Sequence, residues 1–180
     1  AKNPDILVRE TSHMTGKKGA KVTVVEFGDY QCPACALINP EMKKLIEAYK
    51  TNPDFNFVYR HFPLPQHKNA IVSAEAAESA GAQGKYFEMD NLLYENQNEW
   101  SESTEPRSFF SKYAISLGLD MVKFETDMTT HAFLPVIQAD ANDGQIIGID
   151  HTPTVYINGI EQRDLQFEMM KQAIDAILAK

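Results

Sequence analysis

The fold is decided by residues 22–35, which read VTVVEFGDYQCPAC. The first six of these residues are mostly β-branched or apolar and predict a buried strand. Residues 28–31 predict a turn, and from Pro33 onward the apolar residues recur at helical spacing. The stretch therefore predicts a strand, a tight turn and a helix, with Cys32 and Cys35 at the start of the helix.

The two cysteines suit thiol–disulfide chemistry. A thiol at a helix N-terminus lies near unpaired backbone N–H groups, which favour the thiolate and lower its pKa. The spacing of Cys32 and Cys35 brings the two sulfurs within reach of a disulfide bond. Pro33 suits the first helical turn, and Ala34 brings no charge of its own. The alternatives are that the pair is half of a metal site, or that the two cysteines are incidental and buried.

Strand and helix patterns occupy separate blocks in the rest of the chain. Residues 55–62 predict a second core strand, and residues 154–157 predict a third that ends in the hairpin-turn pair Asn158-Gly159. The remaining predicted elements are an edge strand at residues 6–8 followed by a loop, helices at about 69–83, 85–96 and 106–118, a short helix capped by Asp120, a last helix before Gly144, a return strand at 160–163 and a closing helix at 165–178. This order predicts an α/β fold in which a βαβ unit and a ββα unit flank an all-helical insertion.

Three short segments point to a known family: Val25-Glu26-Phe27, Cys32-Pro33-Ala34-Cys35 and the downstream Thr152-Pro153-Thr154. With these segments the chain resembles the DsbA-like branch of the thioredoxin superfamily over nearly its whole length, and residues 60–65 and 96–100 are similar too. The resemblance implies a thioredoxin fold whose core is formed by residues 1–65 and 145–180. Residues 66–144 are then an all-helical insertion between the βαβ and ββα units.

The resemblance also implies roles for the motif residues. Cys32 is expected to be the exposed, attacking cysteine and Cys35 the buried, resolving one, and together they form the redox-active disulfide. Pro153 is expected to be a cis-proline opposite that disulfide, although an X-Pro bond is cis in only a small minority of cases. The backbone of Thr152 would then offer strand-like hydrogen bonds to an extended substrate.

Glu26 is a carboxylate within a strand that otherwise reads as buried, and such a group is costly unless it is neutral or paired. In the family that the chain resembles, an acid at this position relays protons to and from the resolving cysteine, which here is Cys35. The alternative is that Glu26 points to solvent at the end of the strand.

His151 precedes Pro153 by two residues, at a position where similar proteins commonly carry glycine. If the proline loop faces the disulfide, a protonated imidazole at His151 would attract the Cys32 thiolate and lower its pKa. We therefore count His151 among the candidate substrate-side residues. The alternative is a loop histidine exposed to solvent.

The composition narrows the class of protein. The chain has 180 residues, 43% of them hydrophobic and 23% charged, which is typical of a globular protein. The formal net charge of −8 argues against nucleic acid or an anionic membrane as the main partner. No run of about 18 apolar residues exists to predict a membrane span. The histidines fit no metal-ligand spacing, so we expect neither a metal nor a cofactor.

The sequence therefore predicts a thiol–disulfide oxidoreductase that introduces disulfide bonds into exported proteins. A disulfide reductase or isomerase of the same fold, and a metal-binding or chaperone module built on the cysteine pair, are the alternatives. The expected partners are the thiols of unfolded or folding proteins and a re-oxidising or reducing redox partner, for which a membrane DsbB-like protein is one candidate. Because a cycling disulfide suits an oxidising compartment, we expect the protein in the periplasm or cell envelope, with any targeting or anchor segment absent from this chain. We also expect it to be a monomer.

Overall fold

The computed structural model describes all 180 residues and contains one five-stranded mixed sheet. The strands are β1 (His13–Met14), β2 (Val22–Gly28), β3 (Phe55–His61), β4 (Thr154–Ile157) and β5 (Ile160–Gln162). Their order across the sheet is β1-β3-β2-β4-β5, with β2 and β3 parallel and the other neighbours antiparallel. The predicted α/β class is confirmed, and β2, the strand that leads to the cysteine pair, lies at the centre of the sheet.

Nine helices surround this sheet, and none of them has the length and apolar character needed to cross a bilayer. They are α1 (Pro4–Leu7), α2 (Pro33–Tyr49), α3 (Ala70–Gly81), α4 (Tyr86–Glu95), α5 (Gln97–Trp100), α6 (Arg107–Ser116), α7 (Met121–Thr129), α8 (Leu134–Ile146) and α9 (Phe167–Leu178). Helices α3 to α8 lie between β3 and β4 in the chain, which is where the sequence predicts an all-helical insertion. The Asp120 carboxylate caps α7 as predicted, because it accepts a hydrogen bond from the Lys123 N–H at 3.1 Å.

Strand β2 is buried on both faces, which explains its nearly continuous apolar run. Val22 and Val24 belong to the larger core cluster, which also contains both cysteines. Val25 and Phe27 belong to a smaller cluster on the opposite face of the sheet. Since alternate residues of a strand share a face, Glu26 points toward the larger cluster.

The edge strand predicted at residues 6–8 is wrong. Residues 4–7 form the short helix α1, because the Asn3 side chain accepts from the Asp5 N–H at 3.0 Å and Pro4 occupies the first turn. The edge strand is β1 instead, which pairs with β3.

The helix end predicted at Gly144 is also wrong, since α8 continues to Ile146. Gly144 lies inside this helix, where a Cβ atom would come within 2.5 Å of the Phe62 ring. The glycine therefore permits close packing of α8 against the end of β3 and does not terminate the helix.

A fully buried arginine joins the insertion to the sheet. Arg60 on β3 donates to the Asp140 carboxylate at 2.7 Å and to the Asp143 carboxylate at 2.6 Å, both on α8. Its remaining donors reach the carbonyls of Ile6 and Leu7, each at 2.8 Å. One guanidinium thus holds the N-terminal segment, the sheet and the insertion together, with its hydrogen-bonding capacity largely satisfied.

Replacement of this arginine is expected to destabilise the fold. Arg60→Met leaves buried Asp140 without its counter-charge and leaves Asp143 with Arg9 alone, which should lower the free energy of unfolding by about 3–5 kcal/mol. Urea denaturation followed by circular dichroism measures the change. Arg107→Met is the matched control, because the Arg107–Glu125 pair is about half exposed and should contribute at most about 1 kcal/mol. Equal effects of the two substitutions would contradict the role given to Arg60.

Candidate functional site

The two cysteines lie at the N-terminus of α2. Cys32 is the N-cap residue, Pro33 occupies the first helical turn as predicted, and Cys35 lies in the same turn. Both are free thiols, and Cys35 is fully buried. Cys32 is only 6% exposed, so the expectation that Cys32 is exposed is wrong. Its Sγ packs against the loop before β4 and lies 3.5 Å from the Thr152 carbonyl oxygen, which accounts for this burial.

The two sulfurs have opposite pKa shifts. A hydrogen bond from Cys35 lowers the pKa of Cys32 to about 5, and further bonds from Thr152 and from the N–H groups of Cys35 and Ala34 act in the same direction against the effect of burial. Burial raises the pKa of Cys35, and the neighbouring Cys32 and Glu26 raise it further. At neutral pH the pair therefore holds one thiolate, at Cys32, and one protonated thiol, at Cys35.

The loop before β4 closes the site from the other side. Its Thr152–Pro153 peptide bond is cis, which is the isomer implied by the family resemblance. The Thr152 side chain is buried, and the Thr154 hydroxyl donates to the His151 carbonyl at 2.8 Å. The structure thus brings Thr152 and Pro153 to the cysteine pair, at the position predicted for substrate contact.

His151 lies in the same loop with its imidazole largely exposed. Its Nδ1 is 2.7 Å from Oδ1 of Asp150, and this bond lowers the pKa of the Asp150 carboxyl. The groups that shift the pKa of Cys32 do not include His151. An influence of His151 on that thiol stays a prediction.

Glu26 is buried, with 3% of its surface exposed, so the alternative of a solvent-facing carboxylate is wrong. Its Oε1 has no hydrogen-bond partner in the protein. Burial and, to a lesser degree, the charge of Asp90 raise its pKa well above the ordinary value for glutamate. Burial therefore favours the neutral form of Glu26, and its carboxyl lies close enough to Cys35 that ionisation of Glu26 raises the pKa of that thiol.

Side chains of the insertion hold the turn between β2 and α2, and sequence reasoning missed them. The Gln97 amide donates to the carbonyl of Tyr30 at 2.7 Å and to that of Cys32 at 2.9 Å. The Gln31 side chain accepts from the Asn69 N–H at 2.6 Å. Amides have no periodicity that would indicate such contacts, and the similarity of residues 96–100 to the family was the one available signal.

Comparisons with known proteins agree with this geometry. The family model described as thioredoxin matches residues 8–176. Among solved structures, BdbD from Bacillus subtilis superposes with a TM-score of 0.83 at 23% identity, covering 95% of each chain. The thiol-disulfide exchange protein alpha-DsbA2 from Wolbachia pipientis gives 0.80 at 19% identity, covering 96% of this chain and 90% of its own. At these identities the two structures establish the fold.

Curated relatives match a part of a longer protein. The Na(+)/H(+) antiporter NhaA 1 of Mycobacterium sp. (strain KMS) is 35% identical over 155 residues, which is 83% of this chain and 24% of the relative. The chain thus spans about a quarter of the length of the curated relatives that it matches.

Alkylation should report the low pKa of Cys32. Iodoacetamide should modify Cys32 in the reduced protein with a midpoint near pH 5, while Cys35 stays unmodified until the protein unfolds. Because the folded-state pKa of Cys32 is depressed, this thiolate adds stability to the reduced protein that is fully present above the unfolded pKa of about 8.5 and is lost as the pH falls through 5. Peptide mapping measures the alkylation of each cysteine. Urea unfolding of the wild type and of Cys32→Ser at each pH measures the change in stability. Preferential modification of Cys35 would contradict the assignment.

Proposed function

The chain belongs to the thioredoxin family, and we propose that it is a thiol–disulfide oxidoreductase that introduces disulfide bonds into exported proteins through a redox-active Cys32–Cys35 disulfide. The observation that carries the proposal is the opposite pKa shift of two sulfurs in one helical turn. A thiolate that is stable at neutral pH is both a nucleophile and a good leaving group, whereas a buried neutral thiol suits the resolving position.

The reaction starts from the oxidised protein. A substrate thiolate attacks Sγ of Cys32, the Cys32–Cys35 bond breaks, and its electron pair remains on Cys35, which takes up a proton. A second substrate thiol then loses its proton and attacks the substrate sulfur of the mixed disulfide, which releases Cys32 as a thiolate. The substrate dithiol has lost two electrons, the cysteine pair has gained them, and a redox partner restores the protein disulfide.

Glu26 is proposed to supply and accept the Cys35 proton in this cycle. The Cys35 thiolate forms in a buried place where it has no access to bulk water, so a nearby neutral acid shortens the proton transfer. The burial of Glu26, its raised pKa and its unpartnered oxygen support this role. Thr152 and Pro153 are proposed to hold an extended substrate segment next to Cys32, and His151 to face that substrate.

The direction of electron flow is proposed to be oxidative. Stabilising the Cys32 thiolate stabilises the reduced protein, and this makes the disulfide form the stronger oxidant. A donor of disulfides functions in an oxidising compartment, which supports the periplasm or cell envelope as its location. Folding protein thiols are then the substrates, and a DsbB-like membrane protein is a candidate for the re-oxidising partner.

The two cysteines should respond differently to substitution. Cys32→Ser should abolish the oxidation of a dithiol peptide, because it removes the attacked sulfur. Cys35→Ser cannot form the protein disulfide, so its Cys32 thiolate should attack a disulfide-bonded substrate peptide, release one substrate sulfur as a thiolate and accumulate as a mixed disulfide, since the Cys35 thiol that would resolve it is missing. Mass spectrometry of the unreduced protein detects the adduct. Retention of multiple-turnover oxidation by Cys35→Ser would refute the two-cysteine mechanism.

The redox potential separates an oxidase from a reductase. We expect the Cys32–Cys35 couple to be more oxidising than thioredoxin, whose potential is about −270 mV, because the Cys32 pKa of about 5 is lower than thioredoxin's pKa of about 7. Equilibration with glutathione buffers, followed by alkylation and mass analysis, measures the potential. A value at or below that of thioredoxin would favour the reductase alternative.

A further inference from the structure

A cavity of about 200 Å³ lies between α2 and α4, outside the cleft where substrate would bind. Buried Glu26 and Asp90 both line it. Lys43 and Glu47, which also line it, are exposed on the outer face of α2. The cavity therefore connects two buried carboxyl groups to the protein surface, and its charged and amide lining residues and its volume suit it to hold water molecules.

Asp90 is the second acid of this cavity, and the mechanism above does not use it. It belongs to α4 of the insertion and is 7% exposed, and its Oδ1 accepts from the Tyr30 hydroxyl at 3.0 Å. Across the cavity, Oε1 of Glu26 has no partner in the protein. Glu26 thus has an oxygen without a protein partner, and the charge of Asp90 raises the pKa of Glu26.

We propose that Asp90 is a positioning residue for proton transfer, which passes the Cys35 proton between Glu26 and solvent through this cavity. The proposal rests on the proposed function, in which Glu26 protonates Cys35. In one turnover the Cys35 thiolate takes a proton from the Glu26 carboxyl, the Glu26 carboxylate takes one from the Asp90 carboxyl, and Asp90 is reprotonated from water. One proton moves inward and no electron moves along this path.

The electrostatic surroundings of Asp90 agree with this role. Burial raises the pKa of Asp90 to about 7, against a hydrogen bond from Tyr30 and the charges of His61 and Lys43, which lower it. An acid with this pKa exchanges protons with water in both directions near neutral pH. Several titratable groups act on Asp90 or respond to its charge. They are Glu26 on β2, Tyr30 in the turn before α2, Lys43 on α2, His61 on β3, and Tyr86 and Tyr94 on α4 itself.

A second path for the proton starts at the same aspartate. The Tyr30 hydroxyl oxygen also lies 3.1 Å from the Tyr86 hydroxyl oxygen, which in turn lies 3.5 Å from Nε2 of His61. Glu78 then joins His61 to His13, which is partly exposed. Tyr30→Phe interrupts this chain and leaves the cavity lining intact, so it discriminates between the two paths.

The test is the rate of single-turnover oxidation of a fluorescent dithiol peptide from pH 4 to 9. Asp90→Asn keeps an acceptor for Tyr30 but carries no proton, so it should slow the step that protonates Cys35 about tenfold or more. Imidazole, a small buffer acid, should restore much of the lost rate in Asp90→Asn and leave the wild type unchanged. Glu47→Gln removes another carboxylate from the same cavity and should react at the wild-type rate. Tyr30→Phe should keep the maximal rate but move the midpoint of its pH profile upward, because Asp90 loses a bond that lowers its pKa.

A second readout does not depend on turnover. The carboxyl infrared band of Glu26 should titrate at lower pH in Asp90→Asn than in the wild type, because a like charge has been removed. Four results would overturn the proposal. The first two are a wild-type rate in Asp90→Asn when Glu26→Gln is slowed, and a slowed Asp90→Asn whose rate imidazole does not restore. The other two are a Tyr30→Phe variant that is slowed as much as Asp90→Asn, and a Glu26 titration that is the same in Asp90→Asn and the wild type. A wild-type protein that fails to oxidise the peptide would instead refute the proposed function.

Discussion

The turn between β2 and α2 is buried, and its backbone polar groups must find partners within the protein because water cannot reach them. Gln97 satisfies the carbonyls of Tyr30 and Cys32, and the Asp29 carboxylate accepts from the Gln31 N–H at 2.8 Å and the Leu64 N–H at 2.9 Å. Since the Gln97 amide comes from α5 of the helical insertion, the insertion is part of the site. It fixes the place of Cys32 at the start of α2, on which both sulfur pKa shifts depend.

Burial acts differently on the two sulfurs of this site. Cys35 has little but apolar surroundings and a neighbouring acid, so the loss of water dominates and its thiol stays protonated. Cys32 loses water too, but donors from Cys35, Thr152 and the first turn of α2 outweigh that loss. One helical turn thereby holds a stable thiolate and a stable thiol at the same pH. That asymmetry is what a two-cysteine exchange reaction requires.

The same balance between burial and partners organises the rest of the molecule. Arg60 is fully buried but has two carboxylates and two carbonyls around it, and it ties α8 and the N-terminal segment to the sheet. Glu26 and Asp90 are buried with fewer partners, and both have raised pKa values. Well-partnered charges therefore serve the architecture, while of the two under-partnered acids Glu26 lies beside Cys35 and Asp90 shares a cavity with Glu26, where a mobile proton is useful.

The sequence by itself determined what depends on a few neighbouring residues. The β-branched run predicted β2, Pro33 marked the start of α2, and Asp120 and Asn158-Gly159 marked a helix start and a hairpin turn, because caps and turns are formed by side chains close in the chain. The place of the cysteine pair at the start of α2 and the order of the elements followed from the same local signals. With the family resemblance, they were enough for the fold class and for the central residues of the site.

Only the tertiary structure decided the features that depend on distant contacts. Gly144 reads as a helix stop until Phe62 is seen against it, and Cys32 reads as exposed until the Thr152 loop covers it. Asp90 and Gln97 gained their places beside the site from residues about sixty positions earlier in the chain. Burial and hydrogen-bond partners are properties of the packed molecule, and no local pattern encodes which charge will lose its water.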